Sequence, residues 1–164
     1  MLEEQYFSSQ VKDQESSGHE GYEHYRYGAF IHWLRTRDSA TDQEIAQFLE
    51  LTLNDTDVVM GGSAAIELLK CQWITDAQFE KVCTESRKFG KWPLKQAIRY
   101  RLLRELCSNA EFELQARCLD SGDSIVHEAL LELQNIDESI LKGLSENGAN
   151  KRIKNIAKNQ VQKT

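Results

Sequence analysis

The same helix-start signal recurs along this chain at nearly constant spacing, and this regularity limits the possible folds more than any other feature. Thr41, Thr75 and Ser108 are each followed three residues later by Glu or Gln, which is the capping-box pattern. These signals lie 34 and 33 residues apart, and Asp137 begins a fourth segment 29 residues later with a weaker cap. A regular spacing near 33 residues indicates a repeated structural unit.

Each unit is predicted to contain two helices. The chain has a single proline and is rich in Leu, Ala, Glu, Lys and Gln, which favours helix throughout. A short polar break follows each first helix, and the second helices carry small residues near their middle, at Ala64, Ala97 and Ala129. The predicted helices span residues 23–37, 41–53, 57–72, 75–88, 92–107, 109–119, 123–135, 137–146 and 149–162.

An unpaired helix is predicted to precede the first pair. Residues 29–35 repeat the A-x-I-x-x-L-(R/K) pattern of residues 64–70, so they correspond to the second half of a leading repeat. Residues 1–20 are predicted to form a flexible acidic N-terminal arm, with a short helix around Leu2 to Phe7. Residues 21–164 are predicted to form a single helical-repeat domain.

A pair of helices with a period near 33 residues, Asp at the turn and Ala in the second helix, resembles HEAT or armadillo-like repeats over about residues 23–162. The resemblance implies an all-α fold, a short α-solenoid of about four helix pairs plus a leading helix. The tetratricopeptide and ankyrin signatures are absent from the sequence. The alternative is an ordinary helical bundle whose regular spacing is accidental.

The repeat also predicts which residues are buried. Trp33 is expected in the core, whereas Trp73 and Trp92 fall at helix ends, which allows one face of each ring to be exposed. Gly61 and Gly62 indicate a close approach of two helices. The predicted core residues are Ile31, Leu34, Phe48, Leu69, Phe79, Ile98, Leu102, Leu130 and Ile156.

Composition and motifs favour a soluble protein without catalytic chemistry. No apolar run approaches the length of a membrane span, and the first residues lack the pattern of a secretory signal. The four cysteines contain no C-x-x-C, so we expect small buried thiols in a reducing cytoplasm. His19 and His24 do not have the spacing of a zinc site, and His32 and His127 are expected at surface or boundary positions. We therefore predict no catalytic residue, no metal and no cofactor.

Charge is distributed in bands along the chain. Lys and Arg total 20 against 26 Asp and Glu, so the net charge is −6. Residues 36–80 and 105–140 are acidic, whereas residues 81–104 and 151–164 are basic. In HEAT-like stacks the second helices line the concave surface, so the resemblance implies that their charged side chains contact a partner. These residues are Glu67, Lys70, Lys95, Arg99, Arg101, Glu128 and Glu132. Neighbouring bands could instead pair with each other.

The leading functional hypothesis is a non-enzymatic protein-binding module. Its most concrete form is an acidic inhibitor, such as an immunity protein that neutralises a basic toxin or enzyme, and it predicts a protein partner with a basic surface and no membrane. The alternative is a nucleic-acid-binding HEAT-like protein, with a scaffold like that of some DNA glycosylases, using the basic band 81–104. The net charge of −6 disfavours this alternative.

Overall fold

The computed structural model describes residues 2–16 and 25–162, and over these residues the chain is all-α, as predicted. The described residues form ten α-helices, with a 3-10 turn over Ser86–Phe89 before α6. The helices are α1 (Leu2–Ser16), α2 (Tyr25–Arg35), α3 (Asp42–Leu53), α4 (Val58–Leu69), α5 (Asp76–Glu85), α6 (Lys91–Ser108), α7 (Phe112–Asp120), α8 (Ser124–Leu131), α9 (Glu138–Asn147) and α10 (Lys151–Val161).

Two of the three predicted capping boxes are present. The Thr41 hydroxyl accepts a hydrogen bond from the Glu44 amide at 3.2 Å, and the Glu44 carboxylate accepts one from the Thr41 amide at 2.9 Å. Thr75 and Gln78 form the same reciprocal pair, at 3.2 and 3.1 Å. Asp137 caps α9 as predicted, accepting from the Ser139 amide. These bonds satisfy amides that lack a partner within their own helix, which explains why α3, α5 and α9 begin where they do.

The predicted helix start at Ser108 is wrong. Ser108 is the last residue of α6, and its hydroxyl donates to the Arg104 carbonyl, one turn back, at 3.1 Å. The next helix begins at Phe112, with Glu111 as its N-cap. A serine side chain that donates to a carbonyl one turn back belongs to the end of that helix, and it does not cap the start of the next helix.

The contacts divide the chain into two compact units, residues 1–97 and 98–164. In the first unit, α2 packs against α1 and α4, and α3 packs against α4. Successive aromatic contacts form its core, with ring centroids 5.1–6.1 Å apart, from Tyr6 through Phe30, Phe48 and Trp33 to Trp73. In the second unit, α10 packs against α8 and α9, and α7 packs against the same two helices.

The predicted N-terminal arm is a packed helix over the part that the structure describes. Leu2 and Tyr6 of α1 are buried, and the Tyr6 hydroxyl bonds to Asp55 in the connection between α3 and α4. The sequence predicted only a short helix around Leu2 to Phe7, because α1 has few buried residues and one of them, Asp13, is charged. Residues 17–20 lie outside the described ranges.

Most of the predicted core is buried, and one residue is misplaced. Leu34, Phe48, Leu69, Phe79, Leu102 and Leu130 are buried, as is Trp33, whereas Ile31 and Ile156 are half-buried. The prediction for Ile98 is wrong, because its side chain is 50% exposed. Pro93 and Ala97 are buried on one face of α6, whereas Leu102 and Leu106 are buried on a different face further along the helix. Ile98 lies between these two pairs along the chain, where the buried face changes.

The close helix approach predicted at Gly61 is confirmed. A Cβ atom at Gly61 would lie 2.1 Å from the carbonyl oxygen of Thr52, so no larger residue fits between α3 and α4. A Cβ atom at Gly62 would lie 3.1 Å from Pro93 in the first turn of α6. The two glycines therefore let α4 approach two neighbouring segments.

The helix pairs share a pattern of burial when each helix is counted from its N-cap. The fourth and seventh residues of α3, α5, α7 and α9 are almost completely buried, namely Ile45 and Phe48, Phe79 and Val82, Gln115 and Cys118, and Leu141 and Leu144. The third and seventh residues of α4, α8 and α10 are buried in the same way, namely Met60 and Ala64, Val126 and Leu130, and Ile153 and Ala157. Position within a pair therefore determines which residues enter the core.

Candidate functional site

Three of the predicted binding residues, Glu67, Lys70 and Lys95, lie in the first unit. Glu67 and Lys70 form an ion pair with each other, one turn apart at the end of α4. Lys95 is exposed on α6. Glu67 and Lys70 both lie in the acidic band 36–80, so this pair is local and does not join neighbouring bands.

In the second unit, Arg99 is directed into the protein. Its guanidinium bonds to the Asp123 carboxylate at the start of α8, and its side chain is only 17% exposed. Glu128 forms an exposed ion pair with Arg152 at 3.2 Å. Glu132 is exposed at the end of α8, and Arg101 is half-buried.

Asp123 receives several hydrogen bonds. Besides Arg99, it accepts from the backbone amides of Ile125 and Val126 and thereby caps α8. Burial alone would raise the pKa of Asp123, but the bonds from Arg99 and from these two amides outweigh it and lower the pKa below its ordinary value. Asp123 is therefore ionised in the folded protein at neutral pH, and Arg99 stabilises its charge.

One exposed surface was not predicted and lies at the first turns of α4 and α6. Val59 is 76% exposed, Trp92 is 55% exposed, and Val58 is exposed beside Val59. Gly62, one turn after Val58, approaches Pro93 closely, so the start of α6 packs against the N-terminal half of α4. Three exposed cations, Arg87, Lys91 and Lys95, lie close to Trp92 in the sequence. We call this set the Trp92 surface: Val58, Val59, Trp92, Arg87, Lys91 and Lys95.

The sequence carries only an indirect signal for this surface. Val59 and Trp92 are 33 residues apart, which is the predicted spacing of the helix pairs, and each is the second residue of its helix. This spacing alone does not predict that either side chain is exposed. The prediction for Trp92 considered only that one face of the ring is exposed.

A second exposed surface, in the second unit, is acidic. Phe112 is 51% exposed between Glu111 and Glu113 at the start of α7. The Gln115 side chain accepts from the Asp137 amide at 2.9 Å, which brings the start of α9 next to α7. We call this set the Phe112 surface: Glu111, Phe112, Glu113 and Glu138.

A buried polar network in the first unit connects four side chains. Tyr6 donates to Asp55 at 2.6 Å, and Arg26 donates to Asp55 at 2.9 Å and forms an ion pair with Asp13 at 2.9 Å. Asp13 also accepts from the Tyr25 amide, so it satisfies the start of α2. Burial, together with the bond to Asp55, raises the pKa of Tyr6. Each of these groups has a partner within the protein, which indicates a structural role.

His127 is completely buried, which differs from the surface or boundary position predicted for it. The Ala149 amide donates to His127 Nδ1 at 3.0 Å, so that nitrogen carries no proton. His127 Nε2 therefore carries the proton and donates to the Leu119 carbonyl at 2.8 Å. The ring links α7, α8 and the start of α10.

The cysteines vary in burial, and no cluster resembles a metal centre within the described ranges. Cys83 and Cys118 are buried as predicted, whereas Cys107 is exposed. Burial raises the pKa of Cys71 and that of Cys118 to about 11, so both are thiols at neutral pH. No group of three His, Cys, Asp or Glu residues in residues 2–16 and 25–162 is placed to hold a metal ion. His19 and His24 lie outside these ranges.

Comparisons of the chain with protein-family models, with curated proteins and with solved structures gave no match. Among the helices described, none is both long enough and apolar enough to cross a membrane.

Proposed function

We propose that this chain is a non-enzymatic, cytoplasmic protein-binding module built from helix pairs, with a HEAT-like solenoid arrangement. The shared burial pattern of the first helices, with Phe48, Val82, Cys118 and Leu144 all almost inaccessible, supports the repeat. Helical repeats present long surfaces and commonly bind other proteins.

The exposed Phe112 is the observation that carries this proposal. Aromatic side chains often contribute most of the affinity at protein interfaces, and Phe112 is 51% exposed at the start of α7. It is flanked by Glu111 and Glu113, and Glu138 begins the neighbouring helix. A partner with a basic surface and an apolar pocket fits this arrangement, because opposite charges accelerate association and select the partner.

An acidic inhibitor of a basic toxin or enzyme is the concrete form that we propose. Glu132, exposed on α8, and Arg101 on α6, both in the second unit, would contribute at the rim of such an interface. Arg99, Glu67 and Lys70 already have partners within the chain, so we assign them a smaller part in binding.

The test compares capture of a partner by the wild-type chain and by a variant combining Phe112→Ala with Glu113→Gln. Glu146→Gln, an exposed acid in the last turn of α9, is the matched control. We expect the double variant to lose at least about tenfold in affinity for the captured protein, equivalent to ~1.4 kcal/mol, while the control keeps wild-type affinity. Equal affinity of all three proteins would show that the Phe112 surface is not the contact.

Nucleic-acid binding by the band 81–104 is a second candidate, favoured by one observation. Trp92 is exposed next to Lys91 and Lys95, and single-stranded nucleic acids bind to aromatic rings surrounded by cations. Titration with random duplex and single-stranded DNA at several salt concentrations tests it. Binding that weakens steeply with salt and is lost in Trp92→Ala would favour this candidate over the protein-binding proposal.

A further inference from the structure

We propose that the Trp92 surface is a second docking site, which binds an acidic segment of a partner protein through the apolar side chains of that segment. This site lies in the first unit and shares no residue with the Phe112 surface. The proposal would hold even if the Phe112 surface proved to be inert.

The apolar part of the site is formed by two neighbouring helix starts. Val58 and Val59 project from the first turn of α4, and Trp92 projects from the first turn of α6. A Cβ at Gly62, one turn after Val58, would lie 3.1 Å from Pro93, so the start of α6 packs against the N-terminal half of α4. The three large apolar side chains therefore lie exposed on two helix starts that flank this contact, and grouped apolar residues mark interaction surfaces more often than isolated ones do.

The charge around these side chains is positive. Arg87, Lys91 and Lys95 are exposed on the 3-10 turn and the first turns of α6. Lys88 pairs with Glu85, and the nearby Asp57 accepts hydrogen bonds from the amides of its own helix. An acidic segment therefore complements this surface, and a basic segment is repelled.

The aliphatic residues distinguish a protein partner from a nucleic acid. Bases bind by stacking on aromatic faces, but Val58 and Val59 provide none, and Trp92 is the single aromatic ring of the site. Valine side chains bury well against the aliphatic or aromatic side chains of a peptide. The chain's net charge of −6 further opposes a polyanion that contacts more than this small surface.

The site is held in place before any partner arrives. Gly90 has φ +106°, a conformation that favours glycine, and it redirects the chain between the 3-10 turn and α6. Phe89 and Pro93, on either side of Lys91 and Trp92, are both buried. The backbone that carries these side chains therefore needs little ordering when a partner binds.

The experiment selects ligands for the full chain from a random peptide library displayed on phage, followed by dissociation constants for the selected peptides. We expect peptides that combine Asp or Glu with aromatic or aliphatic residues. Trp92→Ala should weaken their binding at least about tenfold. Lys91→Glu combined with Lys95→Glu should do the same by charge reversal.

Two further variants separate binding from folding. Val59→Asp places an acid in the first turn of α4, where helices favour negative charge, so the fold is retained while an acidic peptide is repelled. Phe112→Ala is the matched control at the other surface, and it should leave the affinity for these peptides unchanged. Circular dichroism of each variant verifies its helix content.

Three outcomes would overturn the proposal. The first is that no peptide is selected, and the second is that the selected peptides bind Trp92→Ala as tightly as wild type. The third is that single-stranded oligothymidine, and no peptide, binds in a Trp92-dependent manner. A failure of the Phe112 variants to affect partner capture would contradict the proposed function and leave this site intact, so the two failures can be told apart.

Discussion

The guanidinium of Arg99 bonds directly to the carboxylate of Asp123, with Nη2 2.7 Å from one oxygen and Nε 3.0 Å from both. The same carboxylate accepts from the amides of Ile125 and Val126 at the start of α8. One aspartate thus caps one helix and joins it to another. Arg99 therefore contributes to the stability of the second unit more than to a partner-binding surface.

Removal of this pair should destabilise the protein. We expect Arg99→Ala to lower the free energy of unfolding by about 1.5–3 kcal/mol, the usual loss for a hydrogen bond to a charged group. The measurement is urea unfolding followed by circular dichroism. Lys142→Ala, at an exposed position of α9, is the control and should change little. A loss in Arg99→Ala no larger than in the control would show that the pair contributes nothing.

The contribution of this pair should depend on pH with a defined sign. The pKa of Asp123 is lowered in the folded protein, so its unfolded form binds protons first as the pH falls. The stabilisation is complete above the ordinary Asp pKa of about 3.9 and disappears as the pH falls through the lower folded pKa. The stability difference between wild type and Arg99→Ala should therefore shrink below about pH 4. A difference that stays constant in urea unfolding from neutral to acidic pH would contradict this.

Alanine should have opposite effects at two helical glycines. At Gly61 the new Cβ would meet the Thr52 carbonyl oxygen at 2.1 Å, and relief requires movement of the backbone. We expect Gly61→Ala to destabilise by roughly 1–3 kcal/mol or more. At Gly28 no atom lies within 4 Å, so Gly28→Ala should stabilise α2 by about 0.5–1 kcal/mol. Thermal unfolding of the two variants should shift in opposite directions, and equal shifts would refute the close approach.

The capping threonines should be more sensitive than Ser108. Thr41→Ala and Thr75→Ala each remove a bond to a helix-start amide, so each should cost about 0.5–2 kcal/mol. Ser108→Ala is the matched control, since its hydroxyl caps no helix start. Urea unfolding of the three variants tests this, and a loss at Ser108 as large as at the threonines would contradict the assigned helix boundaries.

Two apolar residues predicted as core should respond differently to truncation. Phe79 is buried in α5, so Phe79→Ala should destabilise by roughly 3–5 kcal/mol. Ile98→Ala should change stability by only about 0.5 kcal/mol, because half of the side chain is exposed. Equilibrium unfolding in denaturant measures both. Similar losses would mean that Ile98 is packed inside.

Local signals predicted the helices well. The boundaries of α3, α5 and α9 follow from Thr41, Thr75 and Asp137, because capping bonds join residues only two or three positions apart. The prediction failed at Ser108 because a serine side chain can either cap the next helix or donate to a carbonyl of its own helix. Local sequence does not decide between these two arrangements.

Interactions between distant residues could not be predicted. Arg99 and Asp123 are 24 positions apart, and the bands of charge did not reveal which members would pair. Whether Ile98 is buried or exposed depends on which face of α6 packs against its neighbours at that point, and this is decided by tertiary contacts. Val59 and Trp92 occupy equivalent positions in the predicted repeat, but their exposure became evident only with the structure.

The bond between Tyr6 and Asp55 spans 49 positions of the chain, and it has a consequence for biosynthesis. Helix α1 is synthesised before the segment that contains its buried hydrogen-bond partner. At a translation rate of roughly 5–20 residues per second, Asp55 follows Tyr6 only after several seconds. Until that segment is available, Leu2 and Tyr6 lack the packing that buries them in the folded protein, and chaperones that bind apolar nascent segments would have access to α1.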